Sequence, residues 1–93
     1  MRAEHLPKRV AQVTHALMEA WTQYGGSAPV TTHEVWEYDS RSLSLGSTSS
    51  ALSRAMRLGL TDRAAPRGLW VATERAWAMR RELESLILRE VSR

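Results

Sequence analysis

Apolar residues recur at steps of three and four through the first quarter of the chain, at Val10, Val13, Leu17, Trp21 and Tyr24. That period predicts an amphipathic helix from about Pro7 to Tyr24. Pro7 suits its first turn, where a missing N–H costs nothing, and Gly25-Gly26 stops it by taking the left-handed conformation. Ser27 to Val30 reads as a short extended link, with Ala28 biased away from helix by Pro29. Thr31 and Glu34 have the spacing of a capping box and predict a second helix from Thr31 that ends between Tyr38 and Ser42. Val35, Trp36 and Tyr38 supply its apolar surface, and Leu43 to Gly46 reads as a turn.

The third helix divides most cleanly. Ser47 is a good cap, Thr48 to Leu58 follows, and Gly59 is the stop. At about 100° per residue, Ser49, Ser50, Ser53, Arg54 and Arg57 fall in one unbroken arc. Ala51, Leu52, Ala55, Met56 and Leu58 fill the opposite arc. Beyond it, Leu60 to Ala64 and Leu69 to Thr73 flank the turn Ala65-Pro66-Arg67-Gly68, which predicts a two-stranded hairpin. Trp70 alternates with Leu69 and Val71, so its direction is open. Thr73 then caps a last helix from Glu74 to about Val91, whose main stripe is Ala76, Met79, Leu83, Leu86 and Ile87, with Trp77 and Leu88 on a neighbouring face. The expected fold is mainly α with a small β-hairpin.

Length and composition narrow the picture. Ninety-three residues make one domain. There is no cysteine, which removes disulfides, thiolate metal sites and a cysteine nucleophile. No phosphate loop, zinc-ligand pair or G-x-S-x-G elbow is present, so no enzyme activity and no cofactor are expected. The histidines at 5, 15 and 33 lack metal-binding spacing, and Glu34, Glu37 and Asp39 are most simply an exposed helix face. No apolar run spans a bilayer and Met1 to Pro7 lacks a signal-peptide core, so a cytoplasmic, nucleoid-associated protein is expected. The formal charge is +3, but its distribution says more. From Ser40 to Trp70 five arginines (Arg41, Arg54, Arg57, Arg63 and Arg67) face one acid, Asp62. Arginine grips phosphates and guanine edges in a two-pronged way.

Three runs together carry a resemblance: Thr31-Thr32-His33-Glu34-Val35-Trp36, then Ser47 to Met56, then Gly59-Leu60-Thr61-Asp62-Arg63. With Arg67 to Arg75 as a wing, the chain resembles the winged helix-turn-helix superfamily, and the small MarR- and PadR-type regulators in particular. The resemblance implies a winged helix core over residues 7–73 with an additional C-terminal helix over 74–91. It further implies that the chain binds double-stranded DNA through a recognition helix at 48–58. Ser49, Ser50, Ser53, Arg54 and Arg57 would then face the DNA. Arg63 and Arg67 would touch the flanking backbone or an adjacent minor groove, and Thr32, at the start of helix two, would present N–H groups to a phosphate.

A serine and arginine face is often merely solvated, but the wing arginines and the order of elements favour DNA. The tryptophans at 21, 36, 70 and 77 read as core rather than base-stacking groups. The last helix carries more apolar surface than one contact needs, which implies a homodimer through Trp77, Leu83, Leu86 and Leu88. Leu83 and Leu86 could equally anchor the helix to its own domain. Three functions stay open: a sequence-specific regulator, a winged-helix protein-interaction module, and a low-specificity architectural DNA binder.

Overall fold

The computed structural model describes residues 6–24, 26, 28–39, 44–64 and 68–91, with side chains placed to residue 87. Helix α1 spans Lys8–Gln23, and strand β1, Val30–Thr31, leads directly into α2, Thr32–Tyr38. Helix α3 is Leu45–Arg57. The hairpin strands are β2, Thr61–Ala64, and β3, Leu69–Ala72. Two helices close the chain, α4 at Glu74–Ala78 and α5 at Arg80–Val91. The architecture is mainly helical with one small antiparallel sheet.

The sheet has three strands in the order β1-β3-β2 rather than the two expected. The link before α2 supplies the third: Val30 pairs with Trp70 and Thr31 with Leu69. Directly opposed residues share a face. Val30, Trp70 and Arg63 therefore form one cross-strand row. Trp70 points inward and is buried, while Leu69 and Val71 turn outward and stay half-buried. The alternation that left its direction open is settled by Val30, which needs a core-facing partner.

One core joins all layers. Leu17 from α1, Leu52 from α3, Leu60 before β2 and Leu83 from α5 are wholly buried, with Val10, Val13, Val30 and Val35 around them. Each such side chain contributes roughly 1.5–3 kcal/mol relative to exposure. Buried hydroxyls are satisfied locally: Thr14 Oγ1 donates to the Val10 carbonyl at 2.8 Å, and Thr61 Oγ1 to the Leu52 carbonyl at 2.9 Å. On α1 the stripe ends earlier than expected. Trp21 is half-buried and Tyr24, the C-cap, is 50% exposed. The Tyr24 phenol titrates above its ordinary value, through partial desolvation first and then the carboxylates of Glu34 and Glu37 and the neighbouring Tyr38.

Two helices depart from their expected bounds. The cap of α3 is Ser44, not Ser47; its hydroxyl accepts the Ser47 N–H at 3.1 Å, so the helix begins one turn early. Gly59 does end it, at φ +78°. The expected single last helix is broken at Met79. No glycine or proline causes this. The break follows from docking: α4 packs on β3 and α5 on α1, and Met79 sits between. Thr73 caps α4 as expected, and its hydroxyl also donates to the Gly59 carbonyl at 2.6 Å, tying the end of α3 to the start of α4.

Asp39 corrects a second expectation. It is not part of an exposed acidic face: its side chain is 1% exposed and its Oδ2 lies 2.6 Å from Arg9 Nη2. The pair ties the start of α1 to the end of α2. Glu34 is consumed by the capping box, its carboxylate accepting the Thr31 N–H at 2.9 Å, and Glu37 pairs with His33 at 3.3 Å.

The apolar stripe of the last helix is largely spent within the chain. Ala76, Met79 and Leu83 are buried, and Trp77 and Leu86 pack against the same core. Leu83 is thus an anchor to its own domain and is not available at a dimer surface. Side-chain placement of Leu88 lies outside the described residues.

Two consequences can be measured. Arg9→Ala strips the ion pair from a buried carboxylate and should cost on the order of 3 kcal/mol in chemical denaturation; a loss below 1 kcal/mol would contradict a structural role for the pair. Leu83→Ala should cost about 2–5 kcal/mol. That loss should be the same over a roughly hundredfold range of protein concentration, because a dimer contact would make it concentration-dependent.

Candidate nucleic-acid interface

Helix α3 is built to present two unlike faces. Thr48, Ala51, Leu52 and Ala55 are buried, and Met56 and Leu58 are half-buried against the core. Ser50, Arg54 and Arg57 are exposed, with Ser49 and Ser53 half-buried at the margins. The five residues that the sequence assigns to one arc therefore do share the outward side. Arg54 and Arg57 lie in the last turn, where positive charge opposes the partial negative charge of the free carbonyls. Arg75 joins them there: a β-carbon on Gly59 would lie 3.4 Å from its Nη1.

No carboxylate among the described residues comes within ion-pair range of Arg54, Arg57 or Arg63. From residue 44 to residue 64 the charged side chains are these three arginines and Asp62, a local balance of +2. Asp62 is turned to the backbone, its carboxylate accepting the Arg63 N–H at 2.8 Å. Arg63 is exposed, and its guanidinium carbon lies 5.5 Å from the centroid of the Trp70 ring. That stacking restricts the arginine while leaving its donors outward. Arg67, the second hairpin arginine, lies outside the described residues.

Thr32 has a different task from the expected one. Its hydroxyl accepts the Trp70 indole N–H at 2.9 Å, and its own backbone N–H donates to the Gly68 carbonyl at 3.2 Å. The N–H groups of Thr31 and Glu34 are engaged in the capping box. Three of the donors at the start of α2 are thus occupied, and the Glu34 carboxylate already sits where an anion would bind. Thr32 is a joint between α2 and the hairpin, not a phosphate seat.

Comparison with protein-family models, with curated protein sequences and with solved structures returns no match to this chain. The site is therefore read from its own chemistry.

Among the described residues no group of three metal-ligating side chains comes together, and no helix is long and apolar enough to cross a membrane. Of the tryptophans, Trp70 is buried and Trp21, Trp36 and Trp77 are half-buried. Trp36 lies 5.3 Å from the His33 ring, and Trp77 carries the Arg80 guanidinium at 5.7 Å. The role of Thr32 escaped the sequence because its partner, Trp70, is 38 residues away.

The joint is testable. Thr32→Val keeps the shape but leaves the Trp70 N–H without its acceptor, and should cost about 1–3 kcal/mol in denaturant melts. An unchanged stability would mean that the bond does not hold the hairpin.

Proposed function

We propose that this chain is a winged helix-turn-helix domain that binds double-stranded DNA, with α3 in the major groove and the β2–β3 hairpin as the wing. The order helix, strand, helix, helix, hairpin supports the reading, as does the pairing of the short first strand with the second strand of the hairpin. The observation that carries it is the outward face of α3. Two exposed arginines with no carboxylate partner among the described residues share it with three serines, and a third such arginine stands on the hairpin.

Each part has a task that its chemistry suits. Arg54 and Arg57 can take the N7 and O6 acceptors of guanine in pairs, and the serines can bond bases or phosphates. Arg63 is the backbone contact, and its stacking on Trp70 reduces the freedom lost on binding. Base contacts of this kind make the protein a sequence-specific regulator rather than a general DNA coat. The phosphate contact expected at Thr32 is not part of the proposal.

The Arg54→Ala, Arg57→Ala double variant should lose on the order of 1–3 kcal/mol of affinity for each base contact removed. Both residues lie off the buried face, so circular dichroism should show a folded domain whose stability falls by about 1 kcal/mol or less per residue. Fluorescence anisotropy with a duplex selected from a random pool measures the loss; unchanged affinity would remove α3 from the interface.

Arg63→Ala should weaken selected and random duplexes alike. The slope of log affinity against log salt should fall by about one. A loss confined to one base position, with the slope intact, would make Arg63 a base reader instead.

A further inference from the structure

Charge divides unevenly along this chain. From Val10 to Ser40 there is no lysine or arginine, and the carboxylates are Glu19, Glu34, Glu37 and Asp39. From residue 44 to residue 64 the balance reverses, with Arg54, Arg57 and Arg63 against Asp62.

The acidic stretch also carries exposed aromatic surface. Tyr24 caps the end of α1 and Tyr38 is the last residue of α2, and these two helices pack together. The tyrosines are 50% and 38% exposed, and the core uses neither. Among the described residues neither hydroxyl makes a hydrogen bond, and neither ring stacks on another ring or a cation. Glu37 is exposed beside Tyr38, and its ion pair is with His33, which carries charge only when protonated. The Tyr24 phenol titrates high through partial desolvation first and then through Glu34, Glu37 and Tyr38, so these groups lie within reach of one another's charge.

An aromatic surface in a negative field repels phosphates and attracts guanidinium groups. The flat face of a guanidinium stacks on a tyrosine ring, and its N–H fork bonds a carboxylate. This chain itself carries the complement. Arg54, Arg57 and Arg63 are exposed and have no carboxylate partner among the described residues.

We infer that the surface formed by Tyr24, Glu37 and Tyr38 docks a second copy of this chain, and that it receives the arginines of α3 and the hairpin. The two surfaces differ, so the contact is head-to-tail. It does not involve the last helix and needs no DNA. Because it takes the same arginines, a second copy and a duplex compete for them; that consequence alone rests on the DNA-binding reading.

Sedimentation of the full chain at low salt tests this with two variants. One removes the acceptor (Tyr24→Ala, Glu37→Gln, Tyr38→Ala), and the other removes the donor (Arg54→Ala, Arg57→Ala). All five positions are exposed, so circular dichroism should show both variants folded. The mass of the parent should rise with concentration, and the rise should be largely lost at about 1 M salt. Each variant should associate about tenfold more weakly. Mixed together, the two should form a one-to-one pair and nothing larger, because one keeps the donor and the other the acceptor. Fluorescence transfer between parent copies labelled at the N-terminus should fall as a selected duplex is added.

A parent that stays monomeric at about 1 mM in low salt overturns the inference. So does an acceptor variant that associates like the parent, or a mixture that does not pair. Transfer that persists on a saturating duplex also overturns it, since the arginines cannot be in both places. A parent that associates in this way but binds no duplex leaves the interface standing and removes only the DNA-binding reading.

Discussion

The indole of Trp70 holds the two halves of the molecule in one geometry. It sits in the central strand, opposite Val30 on one side and Arg63 on the other. Its ring is buried, its N–H is bonded to Thr32, and the Arg63 guanidinium lies over it. One side chain thus fixes the hairpin against the start of α2 and sets the hairpin arginine in place. A chain of 93 residues without cysteine has few other ways to hold a hairpin. An isolated two-stranded hairpin is marginal in water. The third strand and this tryptophan make it a rigid part of the domain.

Much of this was legible in the chain, for reasons that differ between elements. The capping box of Thr31 and Glu34 is local, and local chemistry survives into the fold unchanged. The division of α3 was readable because its period is strict: alanine and leucine at 51, 52 and 55 go inward, serine and arginine at 50, 54 and 57 outward. The hairpin was readable from its turn and its β-branched and aromatic residues. What was not legible depends on partners distant in sequence. Val30 becomes a strand because Trp70 offers it a backbone to pair with. Asp39 looks like any surface acid until Arg9, thirty positions before it, covers it. Thr32 resembles a free helix start, and only the fold brings the indole to it. The break at Met79 arises because α4 and α5 dock on different elements, which no local signal encodes.

The candidate site follows the same division. Its arginines and serines were identifiable as a face, but which hydroxyls and N–H groups the fold itself consumes was not. The fold engages Thr32 with Trp70 and Gly68, and it extends α3 back to Leu45 and Gly46. It also explains the last helix without a second subunit. Leu83 and Met79 complete the core of their own domain, so the greasy stripe that suggested a partner is largely satisfied within one chain.

The central claim is that the outward side of α3, with the hairpin arginine beside it, meets duplex DNA. Amide chemical shifts recorded during titration with a selected duplex test it most directly, because they report every backbone position at once. The account predicts that the largest changes fall on Leu45–Arg57 and on Thr61–Ala64, while the buried stretch of α1 from Val10 to Leu17 and the Leu83 region of α5 stay near their free positions. Changes centred instead on Tyr24, Glu37 and Tyr38, or no change at low salt, would contradict it.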